Sequence, residues 1–477
     1  MPKQVVVVGG GISGLAAAER FARDESSEPL QVTLLEASDR VGGVIRTDRH
    51  DGFLLEAGPD VMLAAKPAGV EMCERLGIGG HVIETRAKGA FILDGDRLQR
   101  IPEGMSGIVP TRIEPFLSTP VLSPGAKLRA ALELFVAPQR LVTDESVEQF
   151  VARRFGREMY ERLVEPLLSG IYAGDGSRLS IDATFPQLRA LEREHGGLIR
   201  GMLAQRGRAS GAPDRPTGLV ALRGGMGELV DSLERDLANA GAHIRRNSTV
   251  KRVTADLADH FAITLANGET VDADGLVIAT PANVAAGLLG SIDDALASEL
   301  SGIEYASTIT VNVAFGAADV PSIPSGTGYT VPRALKRPVL ACTFTSNKFD
   351  GRSPANAALF RLFLGGAGRD DMMSRTDDAL VELVRAELRE VLGINAAPTL
   401  VRVNRYDRVM PQYNLGHVER LERIETRLAN VPGLALAGNA YRGVGIPDCI
   451  TSGRRAAESA IAALRDGASR SVSRVTS

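Results

Sequence analysis

The chain has 477 residues, enough for roughly two to four domains of ~100–200 residues and for large buried cores. Hydrophobic residues make up 44 % and charged residues 24 %, which argues against wholesale disorder, and 55 Lys and Arg against 58 Asp and Glu leave a formal charge of −3, so no basic excess draws the protein to nucleic acid. Aromatic content of 4 % with no Trp disfavours base-stacking platforms. Three scattered cysteines, Cys73, Cys342 and Cys449, are too few for a disulfide framework or a zinc knuckle. No metal site is expected, and a reducing, cytoplasmic compartment is the simplest inference. No run of about 18 apolar residues offers a membrane span, and the four valines after Lys3 are too short for a signal-peptide core.

In chain order, VVVV at 5–8 reads as a buried strand of a parallel sheet. GGGISG follows at 9–14, a helix is expected over 15–23, and QVTLLE at 31–36 reads as a second strand. Together they open the chain with a β-α-β unit. From about 99 to 205, Pro102, Pro110, Pro115, Pro120 and Pro124 interrupt an apolar stretch that then turns helical at 126–136 and 146–169. Thr143 or Asp144 is expected to cap the second of these helices. Residues 206–218 read as a linker or exposed loop.

A helix is expected over 228–240, with strands at 250–253 and 261–266 joined to the next by an Asn267-Gly268 hairpin turn. Residues 271–280 read as one strand, 300–405 as strands with one long helix near 376–392, and 434–437 as a last buried strand before a helix near Pro447. The Ser- and Arg-rich tail 466–477 reads as disordered, and no internal repeat is present.

Gly9, Gly11 and Gly14 fit G-x-G-x-x-G. The pattern alone is weak, but here it follows a strand, opens a helix and lies 22 positions before Glu36 at the end of the next strand. Gly9 allows the tight turn, Gly11 lets a pyrophosphate approach the backbone, and Gly14 lets helix and strand pack closely. The helix N-terminus offers N–H groups to phosphate, and Glu36 can accept from ribose hydroxyls. Beyond Glu36, EASDRVGGVIRT places Arg40, Gly42 and Gly43, and a glycine pair there permits a second close approach to a cofactor. At the other end, 434–459 reads as strand, loop, helix, with Gly443 and Gly445 in the loop and Pro447 in the first helical turn. A helix N-terminus there would stabilise negative charge. If both ends hold one cofactor, the domains are interleaved.

An acid, then Arg-x-Gly-Gly, then a Gly-Pro turn (LLEAGPDV, 54–61) resembles the flavin-binding amine-oxidase superfamily. Within it, GGGISGL at 9–15, RLVEPLLSGIYAGD at 162–175, ALRGGMGEL at 221–229, MPQYNLGH at 410–417 and GNAYRGVGIPDCITSGRRAAE at 438–458 resemble the protoporphyrinogen oxidases along nearly the whole chain. The resemblance implies an α/β fold: a Rossmann-like FAD-binding domain interleaved with a β-rich substrate domain and a mainly helical membrane-associating domain. The expected parts are 1–88, 215–289 and 406–465 for FAD, 89–98 and 290–405 for substrate, and 99–210 for the membrane-associating helices.

It further implies non-covalent FAD, a porphyrinogen substrate, molecular oxygen as acceptor, and peripheral attachment to the inner face of the cell membrane. It leaves a homodimer open. Protoporphyrinogen IX is the first substrate it suggests and coproporphyrinogen III the nearest alternative. An amine oxidase, a carotenoid desaturase and a non-enzymatic binder of prenylated GTPases are more distant ones.

Cofactor contacts are expected, by the resemblance, at Gly9, Gly10, Gly11, Ile12, Ser13, Gly14, Glu36, Arg40, Gly43, Val44, Gly58, Pro59, Asp60, Val61, Val250, Tyr406, Val444, Gly445 and Ile446. Substrate contacts are expected at Gly170, Thr330, Thr343 and Phe363, although a buried aromatic such as Phe363 is as readily explained by packing. Plant and animal members carry an arginine where this chain has Ala90, and Arg97 and Arg100 are near but not equivalent. No acid–base pair stands out, and His417 reads as a structural hydrogen-bonding group rather than a base. The resemblance needs none, since an electron-rich porphyrinogen can lose hydride to flavin N5 and the site then acts by placement. The apolar region 104–140, with Lys127, Arg129 and Arg140, is the expected membrane contact.

Overall fold

The computed structural model describes residues 2–25, 28–106, 109–110, 112–139, 143–206, 218–256 and 260–475. Its centre is a five-stranded parallel sheet in the order His243–Arg245, Leu30–Leu35, Lys3–Val8, Gly275–Ile278, Leu434–Leu436. The strands come from widely separated parts of the chain. The polypeptide therefore leaves this domain and returns to it twice. Val5 to Val8 are buried on both faces, which is why the first strand is a continuous β-branched run rather than an alternating one. The helices Ile12–Ala22, Gly227–Asn239 and Ile446–Val475 share one core cluster on one side of the sheet. The antiparallel meander Val250–Ala255, Phe261–Leu265, Thr270–Ala273 and the helices Ala282–Leu289, Asp294–Ser301 and His417–Leu428 share the core on the other side.

A seven-stranded sheet forms the second layer, in the order Leu400–Pro411, Tyr305–Gly316, Ala357–Gly365, Val339–Phe344, Gly328–Thr330, Phe91–Asp94, Arg97–Arg100. The residues placed with the substrate part from 290 onward divide accordingly. Helix Asp294–Ser301 packs with the first domain, and the sheet begins at Tyr305 and runs past 405 to Pro411. Between Val109 and Leu198 a third core cluster is built from short helices.

Several local expectations change. The stretch 271–280 is two strands, because Asp274 leaves the ladder: its carboxylate accepts from the Gln4 N–H at 2.7 Å and from Lys3 Nζ at 3.3 Å. Helix Val147–Phe155 is capped by Ser146, in a reciprocal capping box with Gln149, not by Thr143 or Asp144. Asp144 is used elsewhere, accepting from Ser180 Oγ at 2.7 Å and Gly416 N–H at 2.9 Å. The 146–169 helix is interrupted at Gly156, whose φ of +100° no helix allows, and by a wide turn at Tyr160–Val164. The 126–136 helix starts at Pro124 and tightens into a 3-10 turn at Leu132–Phe135. The final helix continues to Val475, across most of the tail expected to be disordered, since each added residue extends a nucleated helix that meets no proline. Thr476, Ser477 and most of the expected linker (207–217) lie outside the described residues.

Candidate active site

The glycine loop shows three different needs for glycine. Gly9 has φ of +105°, and a Cβ on it would lie 2.9 Å from the Ala279 carbonyl oxygen. A Cβ on Gly14 would lie 1.9 Å from the Gly9 carbonyl oxygen. Gly11 differs: a Cβ there would meet nothing within 4 Å among the described residues, so its face looks onto open space. Gly11 also caps helix Ile12–Ala22 without any side-chain hydrogen bond, which leaves the first-turn N–H groups of Ile12 and Ser13 for a ligand. Glu36 Oε2 accepts from the Gly10 N–H at 2.6 Å, and Oε1 from Ser38 N–H and Oγ at 2.9 and 2.8 Å. A carboxylate has about four acceptor positions, so ribose hydroxyls can still be bound. The Ser248 N–H donates to the Glu36 carbonyl at 2.8 Å, which brings Val250 to this end. These features fit a dinucleotide: an open glycine, a free helix terminus and an acid at the right distance along the sheet.

The second glycine pair lies directly over the first loop. The Gly42 N–H donates to the Gly10 carbonyl at 2.7 Å, and a Cβ on Gly43 would come within 3.2 Å of Gly11 Cα. Arg40 donates to the carbonyls of Val41 at 3.0 Å, Ile45 at 3.1 Å and Gly43. Its guanidinium thus braces the loop, a role that its spacing in the sequence does not reveal. Gly58 abuts the same loop, since a Cβ on it would lie 1.8 Å from the Val44 carbonyl oxygen, and Val44 itself is exposed beside it. After Pro59, Asp60 turns to protein cations, with Lys348 Nζ at 2.7 Å, and Val61 packs on the core.

The C-terminal loop converges on this cradle. Helix Ile446–Val475 crosses helix Ile12–Ala22 so closely that a Cβ on Gly453 would lie 2.0 Å from the Ser13 carbonyl oxygen. The loop before it, with Val444 and Gly445, is fixed from two sides. The Gly443 N–H donates to the Tyr413 hydroxyl at 2.8 Å, and the Gly445 N–H to Asp448 at 3.2 Å, with Lys66 Nζ on the same carboxylate at 2.7 Å. Tyr413 in turn donates to the Asn439 carbonyl at 2.5 Å and stacks on His417 at 4.3 Å between ring centroids. Burial pushes His417 down to about 4, against its hydrogen bond to the Tyr441 carbonyl at 3.1 Å. It is neutral at pH 7 and sits behind the loop. Tyr413, Asp448 and Lys66 were missed as supporting groups. The motif MPQYNLGH contained the first, but nothing in its spacing says where the hydroxyl points.

The seven-stranded sheet presents a polar face. Thr330, Ala341, Phe363, Thr310 and Asn404 lie side by side across five strands, and Thr343 and Arg361 form the next row. Tyr406 pairs with Thr308 on this face. Burial raises its hydroxyl against the pull of Arg361, Arg40 and Arg46. The alternate residues Ile309, Val311, Phe360 and Leu362 form the apolar face that shares a core with helix Asp377–Leu392. Helix Glu165–Tyr172 approaches the polar face so that a Cβ on Gly170 would lie 3.5 Å from Thr330 Cγ2. Beside it Ile171 is 58 % exposed. All four expected substrate positions thus meet around one sheet face, and among the described residues no metal-binding cluster stands there.

The fold and cradle define a flavoprotein of one superfamily. The model for flavin containing amine oxidoreductases matches residues 12–461, and the chain belongs to that family. Within it, the chain is 35 % identical to the coproporphyrinogen III oxidase of Bacillus subtilis (strain 168), covering 96 % of this chain and 98 % of that one. It is 31 % identical to the protoporphyrinogen oxidase of Bos taurus, over 96 % of this chain and 98 % of the relative. A crystal structure from Exiguobacterium sp. 255-15, provisionally assigned as a protoporphyrinogen oxidase, superposes with a TM-score of 0.83 at 33 % identity, covering 96 % of this chain and 98 % of that one.

Gly11→Val is expected to fold normally and to purify without flavin, because its side chain enters open space meant for phosphate. Gly14→Val is expected to lose flavin and to unfold at markedly lower urea, because its side chain meets the Gly9 backbone 1.9 Å away. Flavin content and urea unfolding separate the two, and a flavin-replete Gly11→Val protein would refute the loop assignment.

Proposed function

We propose that the protein oxidises coproporphyrinogen III to coproporphyrin III, with non-covalently bound FAD and with oxygen as final acceptor. What carries this reading is the set of nearly full-length relatives that are coproporphyrinogen III oxidases at 33–35 % identity, and the exposed Gly170 beside the polar sheet face marks the slot that the reading assigns to substrate. Protoporphyrinogen IX, the first substrate suggested by sequence, is the second reading and draws on the relatives at 31 %.

Gly9 to Gly14 and Glu36 would hold the adenosine diphosphate half of FAD, and Gly43, Val44, Gly58, Tyr406 and the 444–446 loop the flavin half. The flavin, when bound, supplies the acceptor for hydride. Cys449 has no part in holding it covalently: burial pushes its thiol up to about 12, so no thiolate forms at neutral pH.

The residues around the slot place the substrate and do not exchange protons with it. Gly170 leaves room for a macrocycle, Thr330 and Thr343 offer hydroxyls, and Phe363 offers a ring face. Thr330 Oγ1 is buried with no partner among the described residues, which leaves it free for a substrate atom. Ala90 supplies no cation. Arg100 is held by the carbonyls of Lys88 at 3.1 Å and Ser325 at 3.4 Å, and Arg97 stands exposed on a hairpin, so neither replaces the missing arginine. Propionates are therefore not paired with an arginine at this edge.

Aerobic assays with both porphyrinogens, followed by porphyrin fluorescence, test the reading. Coproporphyrinogen III is expected to turn over at least tenfold faster, and faster protoporphyrinogen oxidation would reverse the assignment. Gly170→Leu is expected to keep its flavin and lose roughly a hundredfold or more in turnover, by filling the slot. Full activity in that variant would place the substrate elsewhere.

The helical region is proposed to rest on a membrane surface. Leu128, Leu132 and Phe135 recur at i, i+4 and i+7, and Leu128 and Phe135 are 66 % and 80 % exposed. Among the described residues no helix is long and apolar enough to cross a membrane. Lys127 flanks the patch, whereas Arg129 turns inward to the carbonyls of Arg153 and Arg154, and Arg140 lies outside the described residues. Flotation with anionic vesicles is expected to carry the protein at low salt, and to fail for Phe135→Ser. Wild type left at the bottom of the gradient would refute attachment.

A further inference from the structure

Beneath the turn at residues 57–61 the protein buries three cations that nothing above employs. Lys348, Arg352 and Arg361 are 6 %, 2 % and 3 % exposed. Their acidic neighbours are Asp60 and Glu56. Lys348 Nζ donates to Asp60 Oδ2 at 2.7 Å, and Arg361 Nη1 lies 3.8 Å from Asp60 Oδ1. Burial would raise the Asp60 carboxyl, but Lys348 and Arg361 hold it below its ordinary value, so it stays charged. Glu56 is raised by burial, while it accepts from the Met226 N–H and Thr47 Oγ1, both at 2.8 Å, and feels Arg352. Arg49 also faces Arg352, from the surface. Three positive charges thus stand against Asp60 and at most one more negative charge. The cluster is net positive whichever state Glu56 takes.

An uncompensated buried charge is costly, and proteins keep one where it acts on something. Arg361 points to what that is. It donates to the Ala57 carbonyl at 3.2 Å and to the Gly58 carbonyl, while its Nε and Nη1 have no hydrogen-bond partner among the described residues. Its guanidinium lies 4.7 Å from the Phe363 ring centroid, on the sheet face that also carries Tyr406. From Gly58 the contact runs to Val44, then to Gly43, which lies on Gly11. The charge therefore sits directly behind the flavin half of the cradle.

We propose that this cluster, centred on Arg361, is a fixed positive field that stabilises the negative charge of reduced flavin and raises its reduction potential. A charge already held in place by the fold needs no reorganisation when the electrons arrive, and a low-dielectric setting strengthens it. Arg361 acts as a positioning group through the turn and its field, not by contact with substrate. The proposal rests on flavin occupying the cradle described above.

The test is the reduction potential of the holoprotein, with flavin content measured first in every variant. Arg361→Met and Lys348→Met are expected to lose at least tenfold in preference for reduced over oxidised flavin, about 30 mV for a two-electron couple. Asp60→Asn is expected to shift the potential the opposite way, and Arg361→Lys to stay within about threefold of wild type. Potentials that do not move, or that all move in one direction as loosening of the turn would cause, overturn the proposal. Should Arg361→Met fail to take up flavin, Lys348→Met and Asp60→Asn decide alone: opposite shifts support the field, and equal or absent shifts overturn it. A wild-type protein unable to bind flavin would overturn the flavin reading as well, whereas flavin-replete protein with unmoved potentials overturns this proposal only.

Discussion

Two helices that begin and end the chain touch backbone to backbone where Gly453 meets the Ser13 carbonyl, and the cofactor cradle depends on that contact. Any side chain at 453 would occupy the space of a backbone atom 2.0 Å away. The crossing brings two glycine-rich helix N-termini, at Gly11 and at Gly445, into one region, the one that the proposed function assigns to a single dinucleotide. Each contributes N–H groups and the positive end of a helix dipole. A dinucleotide carries negative charge at its pyrophosphate and gains it on the flavin during reduction. On the proposed reading, backbone N–H groups and helix dipoles meet the first need, and the buried cations behind the Gly58 turn add to the second.

The interleaving of the domains follows from the same contact. The parallel sheet takes its last strand and last helix from the C-terminal part of the chain, so the intervening chain lies outside it. That chain builds the seven-stranded sheet and the helical region, then returns through Leu400–Pro411 and the Gln412–Gly416 segment. The Tyr413 hydroxyl, bridging Gly443 and Asn439, is where the returning chain is locked to the cofactor loop. His417 stacks behind it as a neutral ring, kept so by burial. His417, neutral at pH 7, thus supports the cofactor loop from behind.

Much of this was legible in the sequence because local patterns fix local geometry. VVVV, the glycine spacing and Glu36 define the first β-α-β unit, where Gly9 and Gly14 are required by their backbone neighbours and Gly11 looks onto open space. Thr330, Thr343 and Phe363, expected from the family resemblance, share one sheet face because strand alternation sets them there, and the helix carrying Gly170 lies against that face. What was not legible depends on long-range contacts. Arg40 reads as a cofactor contact, and its hydrogen bonds to three loop carbonyls could not be read from its spacing. Asp274 splits a strand because its carboxylate finds Gln4, 270 residues away. Asp60 sits in a motif and was assigned to the cofactor, yet it faces Lys348, which no motif marks. Buried charge pairs between distant segments leave no periodic trace.

The central claim is that the close crossing at Gly453 assembles the cradle, and Gly453→Leu tests it most directly. Flavin affinity of the purified variant, measured by titration of the apoprotein, is expected to fall at least a hundredfold while circular dichroism retains the seven-stranded sheet and the helical region. A Gly453→Leu protein that binds flavin as tightly as wild type would contradict the account.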